Sequence, residues 1–345
     1  MRIHQQMQAL VSILIPAYNA ERWLADTIES AIAQTWPQKE IIVVDDSSTD
    51  QTLAIARQFE RNVVRVVTQP NQGAAAARNK SFSLSGGDYI QWLDADDLLA
   101  PDKVAHQMRA AAETKNKRTL FSCPWAYFRY RPAKANFIPN PLWSDLDPTE
   151  WMTKKCEGNW HMQTATWLVT RELAETAGPW DTRLLGDDDG EYFARVISAS
   201  SGIRFVPQSK VYYRITSSSR LSYIGRADKK MEAHLVGMKL QIAHLRARED
   251  SDRVRAACVS YLQNCLPFFY PERPDLVQEA VQLAASLGGQ LSLPKASWKY
   301  ALIEKLFGFG AAKHAQSCYN RGKSFALRAW DRTMQSFERD RVLPS

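Results

Sequence analysis

The stretch IQWLDADDLL (residues 90–99) ends an apolar run with a cluster of carboxylates, and it indicates both the fold and the site. The run up to Leu93 predicts a buried strand, and Asp94, Asp96 and Asp97 follow it. Like charges at the edge of an apolar core repel one another and resist losing water. Mg²⁺ or Mn²⁺ held by carboxylates and substrate phosphates would make this cluster useful. Asp97 is also typical of a cap for the next helix.

The sequence around this stretch alternates strand and helix patterns. Continuous apolar strands separated by helices predict a mostly parallel sheet covered on both faces. Ligands of such sheets bind beyond the carboxyl ends of the strands, where Asp45, Asp46, Asp94 and Asp96 fall. The predicted strands are 11–16, 40–44, 62–67 and 88–93, and the predicted helices are 20–34, 47–59 and 73–85.

The rest of the chain divides into two parts by composition. Residues 119–224 are irregular and rich in Trp, Pro and Tyr, with a helix predicted near 187–200. Residues 225–345 show helical patterns and hold 19 Lys and Arg against 12 Asp and Glu. Residues 1–224 hold 25 of each sign, so the whole basic excess lies in the last third. We therefore predict a domain boundary near residue 224.

Several classes of protein are disfavoured by what the sequence lacks. No stretch approaches 18 uncharged apolar residues, and the N-terminus lacks the long apolar centre of a signal peptide, so we expect no transmembrane helix. The five cysteines are scattered without C-x-x-C pairs, which favours a cytoplasmic location and no cysteine metal site. No glycine-rich phosphate loop follows the first strand, which disfavours nucleotidyltransferases and Rossmann dehydrogenases.

Four sequence blocks in order resemble the family 2 glycosyltransferases. The blocks are IPAYNA (15–20), VVDDSSTD (43–50), NQGAAAARN (71–79) and IQWLDADD (90–97). The resemblance implies the A-type glycosyltransferase fold: a Rossmann-like nucleotide-binding, mixed and mostly parallel sheet flanked by helices, with a helical basic C-terminal extension. The implied parts are a catalytic domain over 1–224, made of a nucleotide-sugar-binding half (1–118) and an acceptor half (119–224), and a helical region over 225–345.

The resemblance also places a nucleotide-diphosphate sugar at the edge of the sheet. In the family, the turn after the first strand packs against the base, and the residue equivalent to Asp46 hydrogen-bonds it. The D-x-D motif falls on Asp94, Ala95 and Asp96, with Asp96 as the closest ligand of Mn²⁺ or Mg²⁺ and Asp94 beside it. A cation that bridges the diphosphate stabilises its charge as it leaves. The implied nucleotide-sugar-binding residues are Pro16, Ala17, Tyr18, Asp45, Asp46, Gly73, Arg78, Asn79, Asp94 and Ala95.

A general base is implied within GDDDGEYFAR (residues 186–195). Family members invert the anomeric centre by direct displacement, and a carboxylate removes the acceptor proton. The family signature is a Glu-Asp pair whose Asp lies six residues before an Arg. Counting back from Arg195 favours Asp189 as the base and puts Asp188 in place of the usual Glu, while the extra Asp187 leaves a shift by one open. Neighbouring acids would raise the pKa of the base towards neutrality, and a solvated loop before a helix is the simpler alternative.

Further candidate residues lie on either side of this base. Trp160, His161 and Trp180 are expected to stack on an acceptor sugar, although tryptophans are more often part of the core. The segment YYRITSSSRLS resembles the family block that closes over the donor phosphates. Arg214 and Arg220 are its phosphate candidates through bidentate hydrogen bonds, with surface salt bridges as the alternative.

The basic segment 295–332 has eight Lys and Arg, two acids and interleaved aromatic residues. Peripheral contact with an anionic membrane surface is one hypothesis, and a solvated helical face over an aromatic core is the other. No recognised motif supports nucleic-acid binding, so we expect none. The chain would then be cytoplasmic, with possible attachment to the inner face of the membrane.

The sequence as a whole predicts an inverting, metal-dependent glycosyltransferase that moves a sugar from a nucleotide-diphosphate sugar to an acceptor hydroxyl. A UDP-sugar is the favoured donor, and a glycan or lipid-linked acceptor of polysaccharide, glycolipid or cell-envelope synthesis is expected. A catalytically weak sugar-nucleotide-binding protein of the same fold is the alternative. The particular nucleotide, sugar and acceptor are left open, because base edges and hydroxyls are recognised by loop details.

Overall fold

The computed structural model describes residues 9–61, 63–114, 116–216 and 228–342. Strands and helices alternate in the first two thirds, and the described residues from 228 onward form helices and their connections. The strands are β1 (Val11–Ala17), β2 (Lys39–Asp45), β3 (Val64–Thr68), β4 (Tyr89–Trp92), β5 (Leu98–Leu99), β6 (Thr119–Ser122), β7 (Trp125–Phe128), β8 (Val169–Thr170), β9 (Gly202–Phe205) and β10 (Val211–Arg214). The helices are α1 (Leu24–Ile32), α2 (Thr52–Gln58), α3 (Ala74–Leu84), α4 (Lys103–Glu113), α5 (Pro148–Gly158), α6 (Arg171–Ala177), α7 (Asp188–Ala199), α8 (Asp228–Arg248), α9 (Asp252–Phe269), α10 (Pro274–Ser286) and α11 (Ala301–Val342).

The main sheet is mixed and mostly parallel, which confirms the predicted fold class. Its strand order is β3-β2-β1-β4-β8, and β8 alone among these runs antiparallel to its neighbour. The four strands predicted from apolar runs are β1 to β4, with ends shifted by one or two residues. Smaller sheets with the orders β5-β10-β7 and β6-β9 hold the other described strands.

The register of the sheet brings the site loops to one edge. The central strand β1 is buried along its length because its side chains are apolar on both faces. Ala17 pairs with Asp45 at the end of β2, and Leu14 pairs with Trp92 at the end of β4. The chain therefore leaves β1, β2 and β4 on the same side, as the parallel arrangement predicts.

A cluster of buried aromatic rings packs against the end of β4 at this edge of the sheet. Trp92 at the end of β4 is in edge contact with Trp180 (5.3 Å between centroids) and Tyr192 (5.9 Å). Trp180 stacks on Tyr192 at 4.0 Å with an interplanar angle of 8°, and Phe193 packs on both. Burial of several aromatic rings is among the largest apolar contributions that a core can receive. The first turns of α7 are thereby held close to the end of β4.

The helices beyond residue 228 pack directly on the preceding part of the chain. Helix α8 packs on α7, and α9 packs on α5. The long helix α11 is bent at Gly308 and contacts the segment after β7, where Arg131 pairs with Asp331 (2.7 Å) and the backbone N–H of Tyr130 donates to the same carboxylate (2.9 Å). The predicted helical C-terminal region is confirmed. It also forms one wall of the cavity described below.

Two further properties bear on the sequence predictions. Within the described ranges, the helices are all too short or too polar to cross a membrane. The five cysteines are free, and Cys318 is exposed whereas the other four are buried.

Candidate active site

The loop after β2 is anchored by the buried carboxylate of Asp46. Its oxygens accept hydrogen bonds from the Gln69 side-chain amide (2.8 Å) and from the backbone N–H groups of Gln72 (2.9 Å) and Gly73 (2.8 Å). Gly73 has a φ of 88°, which L side chains rarely adopt, so the residue before α3 has to be glycine. Asp46 therefore fixes the start of α3 next to the end of β2.

An exposed ring and a buried oxygen lie at the same edge of the sheet. Pro16 and Ala17 at the end of β1 are buried. Tyr18, which follows them, has about half of its surface exposed. Asp45 is buried, and its Oδ2 accepts from the backbone N–H of Ser48 (3.2 Å). Its Oδ1 has no hydrogen-bond partner in the described part of the chain. A buried polar atom without a partner is uncommon in folded proteins, so this oxygen is a candidate ligand contact.

The backbone of the D-x-D loop is held from two sides. Asp94, Ala95 and Asp96 follow β4 and are all half-buried. The hydroxyl of Thr27 on α1 donates to the carbonyl of Ala95 (3.0 Å), and the guanidinium of Arg214 at the end of β10 donates to the carbonyl of Asp96 (2.8 Å). The loop is therefore positioned by groups that lie far from it in the sequence.

Asp97 does not cap the next helix, and that expectation is corrected. Its buried carboxylate accepts from the backbone N–H of Arg214 (2.8 Å) and from the side-chain amide of Gln163 (2.5 Å). The residue before α4 is Asp102, whose side chain makes no capping hydrogen bond. Asp97 instead ties the D-x-D loop to β10 and to the turn that precedes Thr164.

Arg78 joins the D-x-D loop to the acid triplet formed by Asp187, Asp188 and Asp189. This buried side chain on α3 donates from Nη2 to Asp94 Oδ1 (2.8 Å) and from Nη1 to Asp188 Oδ2 (2.6 Å). Its guanidinium carbon also lies 4.3 Å from the centre of the Trp180 ring. The charges on Asp188 and Asp94 more than offset burial and raise the pKa of Arg78, which stays protonated. Arg78, which the sequence assigns to the nucleotide, therefore also connects Asp94 of the D-x-D loop with Asp188 of the acid triplet.

Trp180 is a core residue, so its predicted contact with an acceptor sugar is corrected. Its backbone exchanges two hydrogen bonds with the side chain of Asn79, from Asn79 Nδ2 to the carbonyl (2.9 Å) and from the backbone N–H to Asn79 Oδ1 (2.8 Å). The ring is 2% exposed between its aromatic neighbours and Arg78. Asn79 accordingly positions the segment before the acid triplet.

The three acids of the triplet have three different partners. Asp187 has a left-handed backbone (φ 56°) just before α7, and its carboxylate accepts from Gln241 Nε2 on α8 (2.9 Å). Asp188 is buried against Arg78. Asp189 is half-buried and accepts from the hydroxyl of Thr164 (3.3 Å).

The surroundings of Asp189 adjust its acidity. Burial, followed by the charges on Asp188 and Asp187, raises the pKa of the Asp189 carboxyl to about 7. A carboxyl group in this range can accept a proton near neutral pH and pass it on again, as a general base must.

Asp189 and Asp187 line a cavity of about 1080 Å³. Trp160, which is 40% exposed, and His161 line the same cavity, and His161 packs against Trp125 at 4.9 Å. Side chains of α8, α9 and α11 line it as well. Two of the three predicted acceptor residues therefore share a cavity with the favoured base.

Arg214 is not available to a phosphate, which corrects a further expectation. Its buried guanidinium pairs with Asp26 (2.9 Å) and lies 4.5 Å from the ring centres of Trp23 and Phe128. It clamps the D-x-D loop to α1 and β10, as described above. Arg220, the other phosphate candidate, lies outside the described residues.

The fit of a divalent cation depends on Asp94 and Asp96. No group of three or more His, Cys, Asp or Glu residues that could hold a metal occurs within 9–61, 63–114, 116–216 and 228–342. The D-x-D loop supplies two half-buried carboxylates, and Arg78 occupies one oxygen of Asp94. Mg²⁺ and Mn²⁺ are commonly bound by one or two carboxylates together with substrate phosphates, so this donor set fits a cation shared with a diphosphate.

Several residues of the site were not found from the sequence. Thr27, Gln163 and Gln241 are ordinary polar residues within helical or irregular patterns, and their partners lie 54 to 70 residues away in the chain. His234 lines the cavity with Asp189 and also went unnoticed. Their roles follow from tertiary contacts, for which a single sequence contains no local signal.

Comparison with known proteins identifies the matching part of the chain. The family described as Glycosyl transferase family 2 matches residues 12–176. TuaG of Bacillus subtilis (strain 168), whose name provisionally assigns it to teichuronic acid biosynthesis as a glycosyltransferase, is 38% identical over 124 residues, 35% of this chain and 46% of TuaG. Chondroitin synthase of Escherichia coli is 44% identical over 133 residues, 38% of this chain and 19% of that protein. The chain thus spans less than half the length of these relatives.

Solved structures show a likeness of fold over a longer range. S. aureus TarS (residues 1–349) in complex with UDP-GlcNAc superposes with a TM-score of 0.62 at 17% identity, covering 81% of each chain. A second crystal structure of TarS residues 1–349 gives a TM-score of 0.60 at 17% identity over 81% of this chain and 80% of that chain.

The first prediction concerns the buried Arg78 pairs. Replacement Arg78→Met leaves two carboxylates unpaired in a poorly hydrated site and should reduce the free energy of unfolding by about 3–5 kcal/mol. Addition of Asp188→Asn removes one of these charges, so the double variant should be more stable than the sum of the single effects by about 0.5–3 kcal/mol. Urea unfolding of the four proteins gives this coupling.

Arg57→Met is the matched control, because Arg57 pairs with Glu60 on the exposed surface. Its effect should stay within about 0.5 kcal/mol. Additive effects of Arg78→Met and Asp188→Asn would contradict the coupling that we derive from the structure.

Proposed function

We propose that this chain, whose residues 12–176 match the family 2 glycosyltransferases, moves a sugar from a nucleotide-diphosphate sugar to an acceptor hydroxyl with inversion. The observation that supports this best is the position of Asp189. It lines the cavity of about 1080 Å³, and the adjacent Asp188 is connected through Arg78 to Asp94 of the D-x-D motif. This connection supports a proton acceptor that lies close to a diphosphate site.

The donor is proposed to bind at the carboxyl edge of the main sheet. The exposed ring of Tyr18 offers a flat surface to a base, and the unpartnered oxygen of Asp45 offers a hydrogen-bond acceptor. The hydrogen bond between Asp46 and Gly73 orders the adjacent loop. From this position, the Asp46 carboxylate would also contact the base. A UDP-sugar is our favoured donor, and UDP-GlcNAc, which TarS binds in its complex, is the first to test.

Asp96 and Asp94 would hold Mg²⁺ or Mn²⁺ shared with the diphosphate. When bound, the cation offsets the negative charge that accumulates on the diphosphate as the glycosidic bond breaks. Arg78 keeps Asp94 oriented and is itself neutralised by two carboxylates, so it contributes geometry more than net charge.

Asp189 is proposed to be the general base. The acceptor oxygen attacks the anomeric carbon from the side opposite the diphosphate, the bond from that carbon to the diphosphate oxygen breaks, and the hydroxyl proton passes to Asp189. Asp188 is less suited to this role because its carboxylate is buried in the ion pair with Arg78. Direct displacement in one step inverts the anomeric centre.

Division of the chain into a catalytic domain (1–224) and a helical region (225–345) is part of this proposal. Cell-envelope glycans or lipid-linked intermediates are the acceptors that we favour, since one relative is named for teichuronic acid biosynthesis. We place the protein on the cytoplasmic face of a membrane, where nucleotide-activated sugars are made and consumed.

Membrane contact is proposed to involve the outer face of α11. Tyr319, Trp330 and Phe337 are 60%, 62% and 58% exposed, and spacings of about three and two helical turns put them on one side. The exposed Lys323 lies on that side too, whereas Asp331 and Gln335 face the segment around Tyr130. Aromatic and basic side chains on one helical face suit an anionic lipid surface.

The second prediction tests the cation site. Asp96→Asn removes a charged ligand and should lower release of UDP from UDP-GlcNAc in Mn²⁺ on the order of 100-fold. Asp102→Asn is the matched control, because this exposed acid at the start of α4 hydrogen-bonds Thr35 outside the site. Equal rates in Asp96→Asn and wild type would contradict the assignment. Thermal stabilisation by UDP-GlcNAc without any release in the wild type would favour the weak-binding alternative.

The third prediction concerns pH. Asp189 has to be deprotonated to accept a proton, so kcat/KM should fall on the acid side with a midpoint at about 7. Asp187→Asn removes a like charge that raises the pKa of Asp189, and its midpoint should therefore move to lower pH. Steady-state rates between pH 5 and 9 measure both profiles. Retention of wild-type turnover in Asp189→Asn would exclude it as the base.

The fourth prediction tests the outer face of α11. The triple variant Tyr319→Ser, Trp330→Ser and Phe337→Ser should lose cosedimentation with phosphatidylglycerol-containing vesicles by about tenfold or more, because its apolar contacts are gone. Ile138→Ser replaces an exposed apolar residue elsewhere and is the control. Added salt should weaken wild-type binding. Equal cosedimentation of the triple variant and wild type would contradict membrane contact.

A further inference from the structure

His234 on α8 is buried in the cavity wall without a hydrogen bond. Its side chain is 9% exposed, and neither ring nitrogen has a hydrogen-bond partner in the part of the chain that the structure describes. The ring is held by Phe268 (5.2 Å between centroids) and Phe269 (5.9 Å). Buried polar groups without partners reduce stability, so retaining one in a cavity wall indicates that a ligand supplies the missing partner.

Other polar groups surround this ring within the same cavity. Nδ1 of His234 lies 3.6 Å from Asp187 Oδ2, which also accepts from Gln241. Lys155 lines the cavity, with Nζ 4.4 Å from the centre of the Tyr261 ring. Hydrogen-bonding groups of both kinds, donors and acceptors, therefore converge from α5, α7 and α8.

Flat apolar surfaces accompany these polar groups. Trp160 and Phe268 are 40% and 41% exposed, and both line the cavity. Partly exposed rings beside convergent polar side chains are the usual combination in a binding site for a small polar molecule. A sugar ring has an apolar face and a rim of hydroxyl groups, and it matches both features.

The charge state of His234 agrees with a neutral ligand. Burial lowers the pKa of the imidazole, although Asp187 acts in the opposite direction. A neutral imidazole has one donor and one acceptor nitrogen, which suits hydroxyl groups. An anionic group in this position would meet the carboxylate of Asp187.

We propose that His234, together with Lys155, Gln241 and Trp160, forms a subsite for a pyranose ring of the acceptor, next to Asp189. This inference rests on the proposed glycosyltransferase function and assigns the acceptor class of that same site. His234 and Gln241 lie outside residues 12–176, the segment that matches the family. The helical region thus contributes directly to the choice of acceptor.

Direct binding of sugars tests the subsite without any turnover. Methyl β-pyranosides of glucose, galactose and N-acetylglucosamine are observed by saturation-transfer NMR in the presence of saturating UDP and diamagnetic Mg²⁺, with the chain of residues 1–345. We expect binding by the wild type and a loss of affinity of about fivefold to tenfold in His234→Ala, the effect of removing a hydrogen bond. Trp160→Ala, a change at an exposed position, should weaken binding in the same way.

His244→Ala is the matched control, because His244 is on the same helix and does not line the cavity. Wild-type affinity in both His234→Ala and Trp160→Ala would overturn the proposal, as would absence of binding by all three pyranosides to the wild type. If His234→Ala does not fold, as judged by its circular dichroism, Trp160→Ala decides. Release of UDP from UDP-GlcNAc by the wild type is measured separately, so failure of the proposed function is distinguished from failure of the subsite.

Discussion

The buried guanidinium of Arg78 constrains the whole site. It pairs with Asp94, 16 residues later in the chain, and with Asp188, 110 residues later. A charged group in such a poorly hydrated position is tolerated only when its partners are in place, because an unpaired buried charge is strongly unfavourable. The loop after β4 and the start of α7 therefore have to assemble together. Together with the aromatic cluster around Trp180, this side chain fixes the start of α7 close to the end of β4.

The sheet and the edge that carries the site could be predicted from the sequence, because apolar runs and intervening helical patterns are local properties. The acids at the strand ends followed directly from parallel topology. Asp97, Arg214 and Trp180 were assigned incorrectly for a shared reason. Each has a side chain of a type that often caps a helix, binds phosphate or stacks on sugar, but each is buried by distant parts of the chain. Burial is a tertiary property that residue type alone does not determine.

The spacing from Arg195 predicts where the acid triplet lies, but it does not predict which of its acids faces the cavity. Arg195, from which the base position was counted, pairs with Glu191 one turn earlier (2.7 Å) and donates to the carbonyl of Pro179 (2.9 Å). The spacing thus reflects the way α7 is fixed to the preceding loop. It says nothing about which acid faces the cavity. Asp188 is drawn to Arg78, and Asp187 and Asp189 both line the cavity. Because Asp187 is hydrogen-bonded by Gln241, Asp189 is the cavity acid that we favour as the base.

Helices that follow the family-matched segment build part of the cavity wall, and this has an evolutionary consequence. Under the proposed function, the edge of the main sheet and the D-x-D loop can stay unchanged while substitutions accumulate on α8, α9 and α11. New acceptors would then be acquired without loss of donor binding. The hydrogen bond between Gln241 and Asp187 is one of the contacts that couple these helices to the acid triplet. Substitutions on these helices are therefore tolerated only when they preserve the contacts that hold the acid triplet in place.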